Sequence, residues 1–496
     1  MGGRHKSGAS AGAAGPPVGA PAAATSGDQP GAGAALMEAT AVRYGPLRLS
    51  PGTTRGNLTT YYWLALTSIM IFTFVAAGQV TVLSAVLGVD EDQQGRLTGL
   101  LGLVAEITLI VTVAVTGAWS DRIGRRPVSV LGFALMGIAL LITPFIGNVI
   151  SLIASRTVAA VGIAMITVMI TAVVSDYVRN ETRGKANGFL GFCNGIGAVL
   201  TFFVLLQLPN IFEESLGFSE LGAIRATYLL VAAIAMVTAL VMRVGLRGGP
   251  AVVDSAEPPL KQLLKEGLLA GKTPGLRLSY ASAFVARADL ALVGAFLILW
   301  AKQYGTTELG LGETEALAKG AALVGLANGV ALIGAPVIGI ISDKLSRVDA
   351  VLISLGIAGV GYTATVFVEN PFSPIGYTVA AIIGMGQVSA VIASQVLVAE
   401  QAPARIRGSV IGVFALFGGI GIMIALGAGG WLFDVWRPAG PFVLFGVFAL
   451  LVFAYGLAIR SKIPRNPHEE FSHLDDVSGI PAGSDPAQSV PLHAAD

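Results

Sequence analysis

The chain has 496 residues, 54% hydrophobic and only 12% charged, with a formal net charge of +1 and a mean hydropathy of +0.74. A water-soluble globular domain does not reach that balance, so the composition excludes one and indicates a polytopic membrane protein. The single cysteine, Cys193, falls inside an apolar run, which excludes an intrachain disulfide framework.

Residues 1–57 are rich in Gly, Ala and Pro, lack the compact apolar core of a signal peptide, and read as a disordered cytoplasmic tail. Twelve apolar runs then follow, each near the roughly 20 residues that a helix needs to cross a hydrocarbon layer of about 30 Å. They lie near 59–84, 97–119, 127–147, 150–174, 186–207, 226–244, 277–301, 319–341, 350–368, 375–397, 409–432 and 440–459. Residues 462–496, with Glu469, Glu470, Asp475 and Asp476, read as a second disordered tail. The expected fold is all-α and integral to the membrane, with twelve transmembrane helices.

Lys and Arg collect in alternate loops, at Arg122, Arg125 and Arg126, then Arg179, Arg183 and Lys185, then Arg243, Arg247, Lys261 and Lys265, then Lys344 and Arg347, then Arg405 and Arg407. The intervening loops carry Asp90, Glu91 and Asp92, then Glu213, Glu214 and Glu220, then Glu308, Glu313 and Glu315. The positive-inside rule assigns the basic loops, and with them both termini, to the cytoplasm. All four histidines fall in the tails, which leaves none to relay protons or hold a metal within the membrane.

An internal repeat organises these loops. SDRIGRRP at 120–127 is echoed by SDKLSRVD at 342–349, and DYVRNETRGKANG at 176–188 by EQAPARIRGSVIG at 400–412. Two six-span halves, 58–245 and 277–461, are therefore expected on either side of a hydrophilic linker at 246–276. Within the linker, PPLKQLLKEGLL gathers Leu260, Leu263, Leu264 and Leu268 on one helical face, suited either to the cytoplasmic leaflet or to the bundle itself. Glycines four apart, Gly184 with Gly188, Gly191 with Gly195 and Gly408 with Gly412, suit close helix packing.

Two parallel halves joined by a loop, with Gly117, Asp121, Arg122, Gly124, Arg125 and Arg126 on every fixed position of the pattern Gly-x-x-x-Asp-Arg-x-Gly-Arg-Arg, resemble the major facilitator superfamily. The second copy keeps Gly339, Asp343, Lys344 and Arg347 and has Ser346 where glycine would stand. The resemblance covers about 58–461 and implies two pseudo-symmetric six-helix bundles and secondary active transport by alternating access, not enzymatic turnover. From the residues themselves, Asp121 ends one helix and the arginines begin the next, so they can bridge to Asp176, with Glu400 at the matching end of the second half. Such a network is expected to hold while the basic end is closed and to break as it opens. The resemblance implies the same gating role for Asp121, Arg122, Gly124, Arg125, Arg126, Asp176 and Arg183, and for their counterparts Asp343, Lys344, Arg347, Glu400 and Arg407.

Charges inside hydrocarbon are costly and read as functional, and four qualify: Glu106, Arg156, Arg287 and Asp289. At 1.5 Å per residue Arg287 lies about 15 Å, and Glu106 about 14 Å, inside its span, near mid-membrane. Arg287 and Asp289 point roughly 200° apart on one helix, so Arg287 can face Glu106 or an anionic solute while Asp289 meets another helix. Around Arg156 the sequence LIASRTVAAVGIA is similar to a second family pattern, with Leu152, Arg156 and Gly162 in place and Ala159 and Ala160 replacing its Gln and first Gly. That similarity implies a link between Arg156 and proton movement. Without histidines, proton coupling must use carboxylates, Glu106 first and Asp289 second. Gln79, Asn194, Asn328, Gln387 and Gln395 are candidate ligands for a hydrogen-bonding solute, or ordinary helix-packing groups.

GLLAGKT at 267–273 misses the phosphate-cradling loop by one residue and follows no strand, so no ATP-driven pump is indicated. The expected function is proton-coupled symport of a small organic solute. A drug/proton antiporter is the alternative, although the fifth span lacks the proline of the Gly-Pro-x-x-Gly pattern carried by exporters of that family, and a transporter-like sensor would share the fold. The expected partners are a small-molecule substrate, protons and membrane lipid. A monomer is expected, with no cofactor, metal or nucleic acid, in a bacterial inner membrane.

Overall fold

A computed structural model describes residues 42–249, 260–403 and 406–463. Among them are 12 helices long and apolar enough to cross a membrane: Arg55–Val86, Glu91–Val113, Arg125–Phe145, Val149–Tyr177, Glu181–Leu216, Glu220–Gly245, Pro274–Thr307, Glu313–Gly334, Arg347–Phe367, Pro374–Gln401, Arg407–Val435 and Gly440–Lys462. Their starts follow local chemistry. Thr54, Asn148, Ser219, Ser346 and Ser373 turn side-chain oxygens onto first-turn amides, and Pro274, Pro374 and Pro441 occupy positions where no amide is needed. Buried hydroxyls donate back to their own helix, as Ser354 does to the Ala350 carbonyl at 2.8 Å, so no polar group is left facing hydrocarbon there.

The repeat in sequence is a repeat in packing. The first span lies on the fifth as the seventh lies on the eleventh, and the third packs on the fourth and sixth as the ninth does on the tenth and twelfth. The linker helix Leu260–Ala270 packs on the eleventh span, with Gly267 against the Ser409 carbonyl and the Tyr280 hydroxyl donating to the Gly267 carbonyl at 2.8 Å. Of the two settings open to it, the structure takes the bundle.

Part of the first tail is ordered. The expectation of disorder through residue 57 fails from residue 42, because a two-stranded hairpin, Arg43–Tyr44 with Leu47–Arg48, docks on the turn between the fourth and fifth spans. Ser50 N donates to the Tyr177 carbonyl at 2.9 Å and Arg179 N to the Arg48 carbonyl at 3.0 Å. The first span begins at Arg55. Residues 1–41 and 464–496, where the rest of the two tails falls, lie outside the described residues.

The two halves meet along the second and eleventh spans and along the fifth and eighth. Toward the acidic-loop end the contacts are tight: Gly99 and Gly430 bring their backbones together and Phe203 fills the space beside Gly325, while midway along the spans Leu332 fills the space beside Gly195. Toward the basic-loop end, among the described residues, nothing outside their own helices lies within 4 Å of where a β-carbon would stand on Gly117, Gly184, Gly188, Gly191, Gly408 or Gly412. Of the glycine pairs expected to pack, only Gly195 touches the other half. The molecule is closed at its acidic end and open at its basic end, and these glycines flank the cleft. In a Cys193→Ser background, Gly188→Cys and Gly412→Cys should react with a hydrophilic maleimide at least about tenfold faster than Thr314→Cys at the closed end; equal rates would contradict the open cleft.

Candidate functional site

Three layers of the molecule hold the charged groups. At the basic end, Arg125 Nε donates to Asp176 Oδ2 at 3.0 Å and Nη1 to Ser120 Oγ at 2.5 Å, and the same guanidinium pairs with Asp121. The turn that makes this possible is Gly124, whose φ of 97° is open to glycine and strained for other residues. In the second half Ser346 replaces that glycine with an ordinary serine N-cap, and Arg347 Nε reaches Glu400 Oε2 at 3.2 Å. Arg183 Nη2 donates to the Ser175 carbonyl at 2.8 Å. Arg122 and Arg407 are exposed and Arg126 is half-buried. The side chains of Asp343 and Lys344 lie outside the described residues.

This network is formed while the basic end is open, which corrects the expectation that opening would break it. The physical reason is its membership: Arg125, Asp121 and Asp176 all belong to the first half, and Arg347 and Glu400 to the second. Separation of the halves does not pull either set apart. Each set instead ties neighbouring helix ends within one half.

Midway through the molecule a cavity of about 320 Å³ opens between the halves. Gln79, Thr98, Glu106 and Arg156 supply its polar wall, and Phe72, Leu109, Ile163, Ile422 and Leu426 its apolar one. Ala291, Gly294 and Ala295 of the seventh span close it from the second half, and the last two lie in a π-helical segment, Leu292–Leu297, of the kind that marks functional sites. Arg156 Nη1 donates to the Val75 carbonyl at 2.6 Å, while its Nε is buried without an acceptor. Gln79 Oε1 and Thr98 Oγ1 are likewise buried and unpaired.

One turn toward the basic end, Arg287 is exposed over Gly418, and the Glu106 carboxylate stands beside Gly419. The two side chains thus flank adjacent glycines of the eleventh span, with no ion pair between them among the described residues. Asp289 points the other way, fully buried beside the Tyr362 hydroxyl, and both of its oxygens lack hydrogen-bond geometry. Sequence reasoning thus names three residues that share the cavity, Gln79, Glu106 and Arg156, and one at its approach, Arg287. Asn194, Asn328, Gln387 and Gln395 lie outside the lining; Asn328 donates to its own helix at Val324, 2.9 Å away, and Gln395 is exposed.

Sequence reasoning misses the third layer, the closure at the acidic end. Lys302, 2% exposed at its side chain, pairs with Glu313 of the eighth span and donates to Ser84 Oγ of the first at 2.6 Å. Ser84 Oγ in turn donates to Glu313 Oε2 at 2.6 Å. On the opposite flank Asp434, ending the eleventh span with a side chain 1% exposed, accepts from the Gly95 and Arg96 amides at 2.9 and 2.7 Å. Gln207 Nε2 adds a bond to the Ala318 carbonyl at 2.9 Å. The Lys302–Glu313 pair lies within the second half, and the bonds of Ser84, Asp434 and Gln207 cross between the halves. The seventh span runs on to Thr307, beyond the expected end at 301, and that extension brings Lys302 inside.

The sequence model of one family, described as Major Facilitator Superfamily, matches residues 62–426 and, in an overlapping match, 280–477. Magnetosome protein MamH of Paramagnetospirillum magneticum is 29% identical over 84% of this chain and 95% of its own length. Magnetosome protein MamZ of Magnetospirillum gryphiswaldense is 27% identical over 82% of this chain, which spans 63% of that longer protein. Among solved structures, the nucleoside transporter NupG superposes with a TM-score of 0.65 at 12% identity, covering 81% of this chain and 99% of its own.

Hydrogen bonds to a charged group contribute about 1.5–3 kcal/mol, and the exposed Arg96 side chain adds little to those from the two amides. Asp434→Asn should therefore weaken the acidic-end closure by about 2 kcal/mol and slow maleimide labelling of Gly188→Cys as the population leaves the basic-open form. Unchanged labelling would remove Asp434 from the closure.

Proposed function

The chain belongs to the Major Facilitator Superfamily and is a multi-pass membrane protein of the transporter class, and on that premise we propose proton-coupled symport of a small organic solute by rocking of the two halves about the central cavity. The observation that carries the reading is the cavity itself. It lies between the halves, it is reached from the open basic end, and its polar wall holds Glu106, Arg156 and Gln79 with hydrogen-bonding capacity unspent. The basic loops assign the open end to the cytoplasm, with both termini on that side. The bacterial origin of both long-matching relatives supports a bacterial inner membrane.

Glu106 is the proton carrier in this reading. It is the one carboxylate on the cavity wall, it has no ion-pair partner in the open form, and Arg287 of the opposite half stands near enough to compensate it when the proton leaves. Asp289 is a second carboxyl held away from the cavity. Gating divides between two sets of contacts. The acidic-end bonds of Lys302, Glu313, Ser84 and Asp434 hold the open-to-cytoplasm form, and the Asp121–Arg125–Asp176 set keeps the first half rigid while it rocks.

Flux into liposomes with a trapped pH-sensitive dye tests the coupling. Solute entry should carry protons inward; movement of protons against solute would establish antiport, and solute flux without protons a facilitator. Glu106→Gln should abolish uphill, proton-driven uptake while leaving exchange of labelled for unlabelled solute. Unchanged proton dependence would remove Glu106 as the carrier. Asp121→Asn should lower turnover and leave solute binding within about twofold, since the residue lies at a helix end remote from the cavity; loss of binding would contradict its mechanical role.

A further inference from the structure

We infer that the solute is a small organic monoanion with an apolar body, its anionic head seated on Arg156. The inference rests on the transporter reading only in calling this cavity the solute site. Its own warrant is the guanidinium. Arg156 carries five N–H donors, of which the structure accounts for the bond from Nη1 to the Val75 carbonyl. Its Nε is sealed from water with no acceptor, and among the described residues no carboxylate forms an ion pair with it.

A cation placed within hydrocarbon depth and left unpaired is costly unless a partner arrives. Glu106 lines the same cavity, but among the described residues its carboxylate forms no ion pair or hydrogen bond with Arg156, whose Nη1 bonds the Val75 carbonyl instead. With a proton on Glu106, the cavity holds one net positive charge, which one anionic group neutralises. The planar fork of a guanidinium matches a carboxylate or phosphonate head in two parallel hydrogen bonds. Thr98 Oγ1 and Gln79, both with unpaired buried oxygens on the same wall, can complete the shell.

The rest of the solute is set by the remaining lining. Phe72, Leu109, Ile163, Ile422 and Leu426 offer apolar contact and no further charge. A volume of about 320 Å³ corresponds to about ten waters at the share each takes in the liquid, so a body the size of one aromatic ring with a short acidic arm fits. Arg287, exposed one turn toward the open end, is a cation at the approach to the cavity. A second proton-coupling role is not required of Arg156, which acts here as the anion's counter-charge.

The test is a charge series on one skeleton, bound to the full chain in nanodiscs and followed by calorimetry: 3-phenylpropionate, 3-phenylpropanamide and 3-phenylpropylamine. The acid should bind at least about tenfold more tightly than the amide or the amine. Arg156→Gln should erase that preference and Arg156→Lys should retain part of it. Should Arg156→Gln not fold, protection of Gly294→Cys from maleimide, in the Cys193→Ser background, gives an independent reading: the acid should slow labelling and the amine should not. Equal affinity across the series, preference for the amine or amide, no detectable binding of any probe, or an acid preference that survives Arg156→Gln would each overturn the assignment. The two readings fail separately. Flux of a neutral or cationic solute with no acid preference keeps the transporter and removes the anion site, whereas a clear acid preference with no flux of any solute keeps the site and removes the transporter.

Discussion

An ionised side chain in hydrocarbon must be paired, hydrated or put to use, because a single uncompensated charge there costs several kcal/mol, a sizeable part of the net stability of a domain. Among the described residues Asp289 is buried with both oxygens unpaired, and the other deep charges follow one of those routes. Lys302 is paired with Glu313 and bonded to Ser84. Asp434 spends its oxygens on two backbone amides of the second span. Arg287 and Glu106 face the open cleft and its cavity, where water reaches them. Arg156 alone among the cavity's charges keeps a sealed donor without an acceptor, and the functional reading of the cavity grows from that imbalance.

The paired charges are distributed unequally between the two ends, and this sets the mechanics. At the basic end the ion pairs stay within a half, Arg125 with Asp121 and Asp176, Arg347 with Glu400. At the acidic end the Lys302–Glu313 pair also lies within the second half, but it is bonded across to Ser84 of the first, and Asp434 crosses to the Gly95 and Arg96 amides. A rigid-body rocking motion needs both arrangements: bonds within a half that survive the motion, and bonds between halves that break and reform at alternate ends. The crossing bonds cluster at the acidic ends of the first, second, fifth, seventh, eighth and eleventh spans, so a rotation that opened that end would lose them together. The free glycines at the basic end, Gly184, Gly188 and Gly191 on the fifth span and Gly408 and Gly412 on the eleventh, leave room for close approach when that end shuts.

How far the sequence discloses this depends on the range of each interaction. Span positions and the two-half repeat rest on local composition and on motifs repeated along the chain, and both are readable without coordinates. So are Glu106 and Arg156, since a lone charge in an apolar run stands out. Lys302 and Asp434 do not stand out, because each sits near the end of an apolar run, where a charge ordinarily meets water; their burial depends on helices from the other half. Thr98 is hidden for a different reason. A threonine within a span ordinarily bonds its own helix, and its orphaned hydroxyl shows only once the cavity is drawn. The order in residues 42–49 also comes from a distant partner, the turn at Tyr177–Thr182, which composition cannot reveal.

The two halves repeat each other in packing but not in chemistry, and the departure has a direction. The first half supplies all four polar groups of the cavity wall, Gln79, Thr98, Glu106 and Arg156, while the second presents Ala291, Gly294, Ala295, Ile422 and Leu426. A solute bound there would be held chiefly by the first half and covered by the second. The turn motif shows the same bias, with the strained Gly124 retained in the first half and a relaxed serine cap at Ser346 in the second. The two halves thus share a symmetric frame, while the polar groups of the cavity wall all stand on one side of it. Motion of the second half over a site fixed on the first can then change access to the solute without rebuilding the contacts that recognise it.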